Sequence, residues 1–179
     1  MSTTDPHDSL EEDLFAPSGP MPDTPTEGFV LCEFDGVTIA VPQSDLVTIE
    51  HGNELSAPLP GEPVIGWFNS PQGPWPVHAL DQRLRALTEQ PATGAYLVFV
   101  RSQPWPSGLL CERVRIVRAS SELTIQPLPA VLRDPASPIG GIARLDKRTV
   151  AWILDEGRLA AHLAAVTSND EWNNERWHE

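Results

Sequence analysis

From Phe29 to Leu154 short apolar runs alternate with glycine, proline and acidic punctuation. Most runs are four to six residues long, the length of a strand. Phe29-Val30-Leu31-Cys32-Glu33-Phe34 is the first, Asp35-Gly36 is a strong hairpin turn, and Val37-Thr38-Ile39-Ala40-Val41 returns as the second strand. Pro42-Gln43-Ser44-Asp45 stops it, with Ser44 or Asp45 able to cap a single helical turn. Leu46 to Glu50 predicts a third strand and His51 to Pro58 a polar loop. In the stretch Leu59 to Leu80, a run from Pro63 to Phe68 predicts a strand buried on both faces. A second extended run, Pro74 to Ala79, leads back from the connection Asn69-Ser70-Pro71-Gln72-Gly73. Ser70, Pro71 and Gly73 suit the first, second and fourth positions of a type I turn. Pro74 and Pro76 cannot donate to a ladder, which predicts an edge or sharply bent strand.

Leu80 to Leu87 predicts a short helix with Leu80, Leu84 and Leu87 on one face. Ala95 to Val100 predicts a fully buried strand, Ser102 to Ser107 a turn, and Gly108 to Val114 another strand. Arg113 and Arg115 alternate with Val114 and Ile116, so a two-residue period puts the arginines on one face and the apolar pair on the other. Such a stripe is ordinarily a solvated face, and a partner contact is the alternative. Glu122 to Ile125 predicts a strand, followed by Gln126-Pro127-Leu128-Pro129. Pro138 to Leu145 and Thr149 to Leu154 predict the last hairpin, turning at Asp146-Lys147. Asp155 can cap a final helix, Glu156 to Val166, with Leu159, Leu163 and Val166 on one face. Many short strands with few short helices indicate an all-β barrel class.

Charge is unevenly spread. The chain has 179 residues and a net charge of −13, yet no Lys or Arg precedes Arg83. That first half repels phosphate and anionic lipid, which argues against nucleic acid or a membrane surface as partner. The asymmetry suits steering of a protein partner, and serves equally to keep the protein in solution. Residues 1–27 are rich in Ser, Thr, Pro, Asp and Glu and are expected to be a disordered acidic tail, with Leu14-Phe15 its one adjacent pair of large apolar residues. Residues 28–166 are expected to form the folded domain and residues 167–179, with Trp172 and Trp177, a flexible tail. No membrane-spanning run or signal peptide is visible, which predicts a cytoplasmic protein.

Chemistry is sparse. His7, His51, His78, His162 and His178 are dispersed, without metal-ligand spacing. Cys32 and Cys111 each sit in an apolar extended run, as inert buried thiols do, and there is no CxxC. No nucleophile or phosphate-loop motif occurs. Asp45 with Glu50, or Glu112 with Glu122, are the acid pairs able to approach, though acids on strand faces are usually solvated. Catalysis, a cofactor and a metal are therefore not expected. Trp67 is expected in the core. Trp75 and Trp105 suit either the core or a surface contact, Trp being favoured as an interface anchor.

The central stretch resembles a motif of the chemotaxis coupling protein family, the CheW-like domains. Leu59-Pro60, Gly66-Trp67-Phe68-Asn69, Pro76-Val77 and Ala79-Leu80 fall in register with it, but Ser70, Pro71 and Gln72 stand where the family has Leu-Arg-Gly. Leu46 and Ile49 match a Val-x-x-Ile element, and Gly108 to Val114 resembles a Gly-apolar-apolar-Val-Asp-x-Val strand with Cys111 in place of Val and Glu112 in place of Asp. Ile125 to Pro129 matches a proline corner, and Ile139 to Leu154 the closing ladder. The resemblance covers roughly Gly28 to Leu163. It implies two small SH3-like five-stranded β-barrels packed side by side, with the last strands returning to the first barrel and a helix at the C-terminus. It also implies a non-enzymatic adaptor that joins the regulatory domain of a CheA-type histidine kinase to the cytoplasmic tips of chemoreceptors. Carried over by position, Leu46, Ile49, Asn69, Pro71 and Gln72 would lie at these contacts. Trp75, Arg113 and Arg115 join them as residues suited to a protein partner. A divergent regulator of pilus-driven motility or another non-flagellar output fits the same residues. An enzyme or ligand-binding barrel using the cleft between lobes is the alternative of another class.

Overall fold

The computed structural model describes residues 28–52, 55–62, 64–103, 105–118, 123–134, 137–146 and 149–167. The expected N-terminal tail and residues 168–179 of the expected C-terminal one lie outside the described residues, as do Pro63, Glu122 and Lys147, while Thr167, expected to begin the tail, ends the helix. Among the described residues thirteen strands and one α-helix follow in chain order: β1 Phe29–Phe34, β2 Val37–Pro42, β3 Leu46–His51, β4 Leu55–Ser56, β5 Gly66–Ser70, β6 Gly73–Leu80 and β7 Ala86–Leu87, then β8 Tyr96–Val100, β9 Ser107–Cys111, β10 Arg113–Val117, β11 Thr124–Pro127, β12 Ile139–Arg144, β13 Val150–Leu154 and α1 Glu156–Thr167. They form two curled sheets. The first has the order β10-β1-β2-β13-β12-β11, and the second β3-β8-β9-β6-β5-β4 with β7 on β6. The two-lobed all-β architecture and the return of the last strands to the first lobe are as expected. The sheets have six and seven strands rather than five each.

Three apolar clusters hold this arrangement. One lies on the first sheet alone, around Phe29, Leu31, Ala40 and Val117. Another lies on the second, around Trp75, Val77, Leu97 and Phe99. The third belongs to both: Val30, Cys32 and Ile39 of the first sheet meet Val98, Leu109 and Cys111 of the second, and Leu159 and Leu163 of α1 close over them. Strand alternation explains the division. In β1, odd-numbered Phe29 and Leu31 face the first cluster while Val30 and Cys32 face the shared one. Both faces of β1 are thus covered, and its run of four buried side chains has no polar alternation.

The β1–β2 turn is as predicted. Asp35 and Gly36 have φ of 46° and 74°, the pair of positive values that a tight hairpin requires. Other expectations change. The segment after Leu80 is not a helix but a turn, with Leu84 at φ 59°. The Asp81 carboxylate organises it: Oδ1 accepts from the Arg83 and Arg85 amides at 2.8 and 2.9 Å, and Oδ2 accepts from Arg85 Nε at 2.8 Å. An eight-residue helix is marginal, and the carboxylate gives the backbone another partner. Leu80 and Leu84 are still buried, in the shared core.

Gly108 to Val114 is two strands rather than one. β9 lies in the second sheet and β10 in the first, and Glu112 makes the crossing. Its amide donates to Glu33 O at 2.7 Å. Its Oε1 accepts from the Asp35 amide at 3.2 Å and from Thr93 Oγ1 at 3.0 Å. The predicted 51–58 loop contains β4. Ser44 and Asp45 provide no side-chain cap; Gln43–Asp45 is a 3-10 turn preceded by Pro42. β6 is not an edge strand over its whole length, since it lies between β5 and β9. Its parallel pairing to β9 runs over Val77 and His78, beyond both prolines, so its proline half pairs with β5 alone.

Trp75 needs the clearest correction. It is no surface anchor: it is 5% exposed and packs edge-on to Phe99, with centroids 5.1 Å apart, while Phe68 packs on Phe99 with a tilted ring at 5.0 Å. Alternation along β6 turns Trp75 and Val77 inward together. Its Nε1–H is buried without a hydrogen-bond partner among the described residues. Trp75→Ala is expected to lower unfolding free energy by about 3–5 kcal/mol, read from the urea midpoint; a surface anchor would leave that midpoint in place.

Cys32 and Cys111 meet in the shared core, both fully buried. A hydrogen bond with Cys32 and then burial itself push the Cys111 thiol well above the ordinary range. In the unfolded chain this thiol ionises near its usual value, about 8.5. The stability it contributes is therefore intact below that pH and is lost as pH rises above it, because the unfolded state then binds fewer protons. The wild-type urea midpoint should fall between neutral pH and about pH 10 more steeply than that of Cys111→Ala, whatever the variant's lower starting stability.

Candidate partner-docking surfaces

The residues singled out by sequence fall on separate surfaces. Asn69, Pro71 and Gln72 form one of them, at the exposed tip of the β5–β6 hairpin. Ser70 braces the tip: its Oγ accepts from the Gln72 amide at 3.1 Å and donates to Gly73 O at 2.7 Å. Gly73 takes φ 120°, the one positive value in the turn. Asn69 Nδ2 donates to Ser56 Oγ at 3.0 Å, tying the tip to β4. Trp67, half-buried one turn below, donates its Nε1–H to Glu62 Oε2 at 2.8 Å. The tip is thus a stiff loop with Pro71 and Gln72 outward.

Leu46 and Ile49 lie on β3, at the other end of the sheet's hydrogen-bonded order. They are three residues apart, which in a regular strand would set them on opposite faces. A bulge prevents this. Leu46 pairs with Val100 and Thr48 with Phe99, so Val47 is the extra residue. Leu46 and Ile49 then face the shared core together and are half-buried, while Val47 is turned out at 42% exposure. The sequence motif marks the bulge, and the side chain it presents is Val47.

Arg113 and Arg115 lie on β10, in the other sheet. Both are exposed, and Arg113 makes one long ion pair, 3.9 Å from Glu33. Of the apolar pair that alternates with them, Val114 is half-buried and packs against the shared core, and Ile116 is 59% exposed. β10 ends the sheet's order and pairs, among the described residues, with β1 alone, so its outer edge has no ladder partner there.

One surface was missed. Ala130–Leu132 is a 3-10 turn with Val131 at 90% and Leu132 at 52% exposure, held by Arg133 Nε donating to Leu128 O at 2.9 Å. It flanks a groove of about 390 Å³ lined by Arg133, Ile139 and Arg158 among others. A neighbouring groove of about 370 Å³ carries Arg83, Trp152 and His162. The signal was an apolar run, Leu128 to Leu132, with proline inside it and no strand period. Trp105, in its loop, is 52% exposed.

The cleft between lobes is small, about 190 Å³, and its carboxylates are engaged. Asp35 Oδ2 accepts from the Gln82 amide at 3.1 Å, Glu112 serves Asp35 and Thr93, and Asp81 holds Arg85 at 2.6 Å. Burial by itself would raise the Asp81 pKa, but the Arg85 side chain and the amides of Arg85 and Arg83 together hold it below the usual carboxylate value. Asp45 and Glu50 do not converge: Asp45 is buried beside Ser44, and Glu50 accepts from Thr48. His51 packs on Tyr96, His162 Nε2 lies 2.7 Å from Leu84 O, and His78 is buried. His7, His178 and Glu122 lie outside the described residues. Among the described residues no three His, Cys, Asp or Glu side chains are grouped to hold a metal, and no helix is long and apolar enough to cross a membrane.

A family model described as CheW-like domain matches residues 28–164. Among solved structures the chain is similar to the scaffolding protein TtCheW from Thermoanaerobacter tengcongensis, with a TM-score of 0.55 and 16% identity, over 73% of this chain and 89% of that one. No curated protein matches.

The bulge geometry separates residues that serve the fold from residues that serve the surface. Val47→Lys and Gln72→Lys should each leave the unfolding free energy, read from urea titration, within about 0.5 kcal/mol of wild type. Leu46→Ala and Ile49→Ala, half-buried, should each cost about 1–2.5 kcal/mol, roughly half the loss at a fully buried site.

Proposed function

The chain belongs to the CheW-like domain family, and from that premise we propose that it is a non-enzymatic cytoplasmic adaptor coupling a CheA-type histidine kinase to chemoreceptors. The family match across residues 28–164 carries this reading. The folded unit is residues 28–166, with the acidic segment before it and the short segment after it dispensable for folding. Partners meet the β5–β6 tip at Asn69, Pro71 and Gln72, the β3 bulge around Leu46 and Ile49, and the arginines of β10. Trp75 supports the tip from within the lobe.

The tip is where this chain departs from its family. An Arg-Gly pair there would offer a planar multi-donor group and a close backbone approach. Pro71 and Gln72 offer a stiffened turn and one neutral amide instead. A contact that elsewhere relies on the arginine is weakened here, so this adaptor serves a specialised partner or tunes an array rather than coupling a standard pair tightly.

Calorimetric titration against a CheA-type regulatory domain and a receptor-tip fragment tests this. Restoring a charge-assisted hydrogen bond is worth roughly 1.5–3 kcal/mol, so Pro71→Arg with Gln72→Gly should raise affinity by about tenfold or more. Tight binding of both partners by wild type, unchanged in the double variant, would remove the tip from the contact. Replacing Arg113 and Arg115 with Ser should slow association at low salt more than it speeds dissociation. An unchanged on-rate would take β10 out of the partner surface.

A further inference from the structure

Among the described residues β10 is an unpaired sheet edge whose charged side chains are all positive. Its sequence, Arg113-Val114-Arg115-Ile116-Val117, continues into Arg118, and it contains no proline, glycine or acid to discourage a further strand. Among the described residues Arg115 and Arg118 make no ion pair, and Ile116 stands exposed between them. An acidic extended segment with one or two large apolar side chains would satisfy the backbone, the arginines and Ile116 together, by strand addition to this edge.

Such a segment exists within the chain. Residues 1–27 contain seven Asp and Glu and no Lys or Arg, and three of the acids, Glu11-Glu12-Asp13, directly precede Leu14-Phe15. The chain leaves the fold beside the same edge: Gly28 precedes Phe29, whose partner across the ladder is Val117 of β10. Fifteen steps separate Asp13 from Gly28, a reach of up to about 50 Å. β10 itself is about 14 Å long at roughly 3.4 Å per residue. A tether of this kind holds its segment at an effective concentration of order millimolar, so a weak contact is enough.

We infer that the acidic segment around Leu10–Phe15 docks in cis on the β10 edge, pairing with Arg113, Arg115 and Arg118 and covering Ile116. A partner that uses those arginines must displace it. That consequence rests on the adaptor reading; the docking itself does not.

The test uses the full chain and hydrogen exchange of the β10 amides. Replacing Glu11, Glu12 and Asp13 with Lys alters no residue of the folded domain. It should speed exchange in Arg113–Val117 by about fivefold, the protection given by a tethered millimolar contact, and raised salt should do the same to wild type. Exchange in β8, at the centre of the other sheet, should not change. Arg113→Ser with Arg115→Ser should reproduce the effect; if that variant also loses protection in β8 it has been destabilised, and the tail variant decides alone. Identical β10 exchange in wild type and tail variant overturns the proposal. Protection that disappears on dilution also overturns it, by assigning the segment to the edge of a second copy. Titration with kinase and receptor fragments is read separately, so docking and coupling fail independently.

Discussion

The two sheets share a core, and most of the architecture follows from that. Each sheet has an apolar cluster of its own, yet the cluster between them has the most buried members and draws on both sheets and α1. Neither sheet can present Val30, Cys32 and Ile39, or Val98, Leu109 and Cys111, to water without exposing an apolar face. The lobes are therefore one cooperative unit, and a change in the seam is felt in both. β1, covered on both faces, has little room for a polar substitution along Phe29–Cys32.

Polar groups set how the lobes meet. Glu112 carries the chain from one sheet to the other and binds the β1–β2 turn through the Asp35 amide. Asp35 in turn accepts from Gln82 at the head of the 81–85 turn. Asp81 shapes that turn so that Leu84 enters the shared core while its carbonyl reaches His162 on α1. Hydrogen bonds to carboxylates fix direction where apolar contact fixes only proximity. The cleft these carboxylates line is consequently a joint between lobes, with its polar groups occupied.

Period and turn chemistry carried the hairpins well. Phe29–Phe34 is a strand with the bounds expected, and the Asp35-Gly36 turn has both positive φ values. What the pattern could not express was a change of partner. Residues 108–114 keep a strand period throughout, so nothing local marks Glu112 as the point where the chain leaves one sheet for the other. Leu80, Leu84 and Leu87 have helical spacing, but their burial comes from two different clusters reached by a turn. Trp75 lies between prolines, and only the fold shows that its half of β6 still faces an aromatic core. Among the candidate contacts, exposure at the tip was legible because Pro71 and Gln72 sit in a turn. The bulge at Val47 was not, because a bulge depends on the register with β8.

The prolines of β6 have an effect beyond the strand they interrupt. Pro74 and Pro76 are two residues apart and pair opposite Asn69 and Trp67. Successive positions of an antiparallel strand direct their backbone groups to opposite sides, so positions two apart direct them to the same side. A hairpin with proline at such positions keeps its own ladder only where the missing donors point away from it. The outer flank of the projecting arm is thereby deprived of amides and makes a poor template for another strand. The molecule thus separates two vocabularies of recognition. The outer flank of the hairpin arm offers side chains and carbonyls but few amides, whereas the β10 edge, among the described residues, still offers main-chain donors as well.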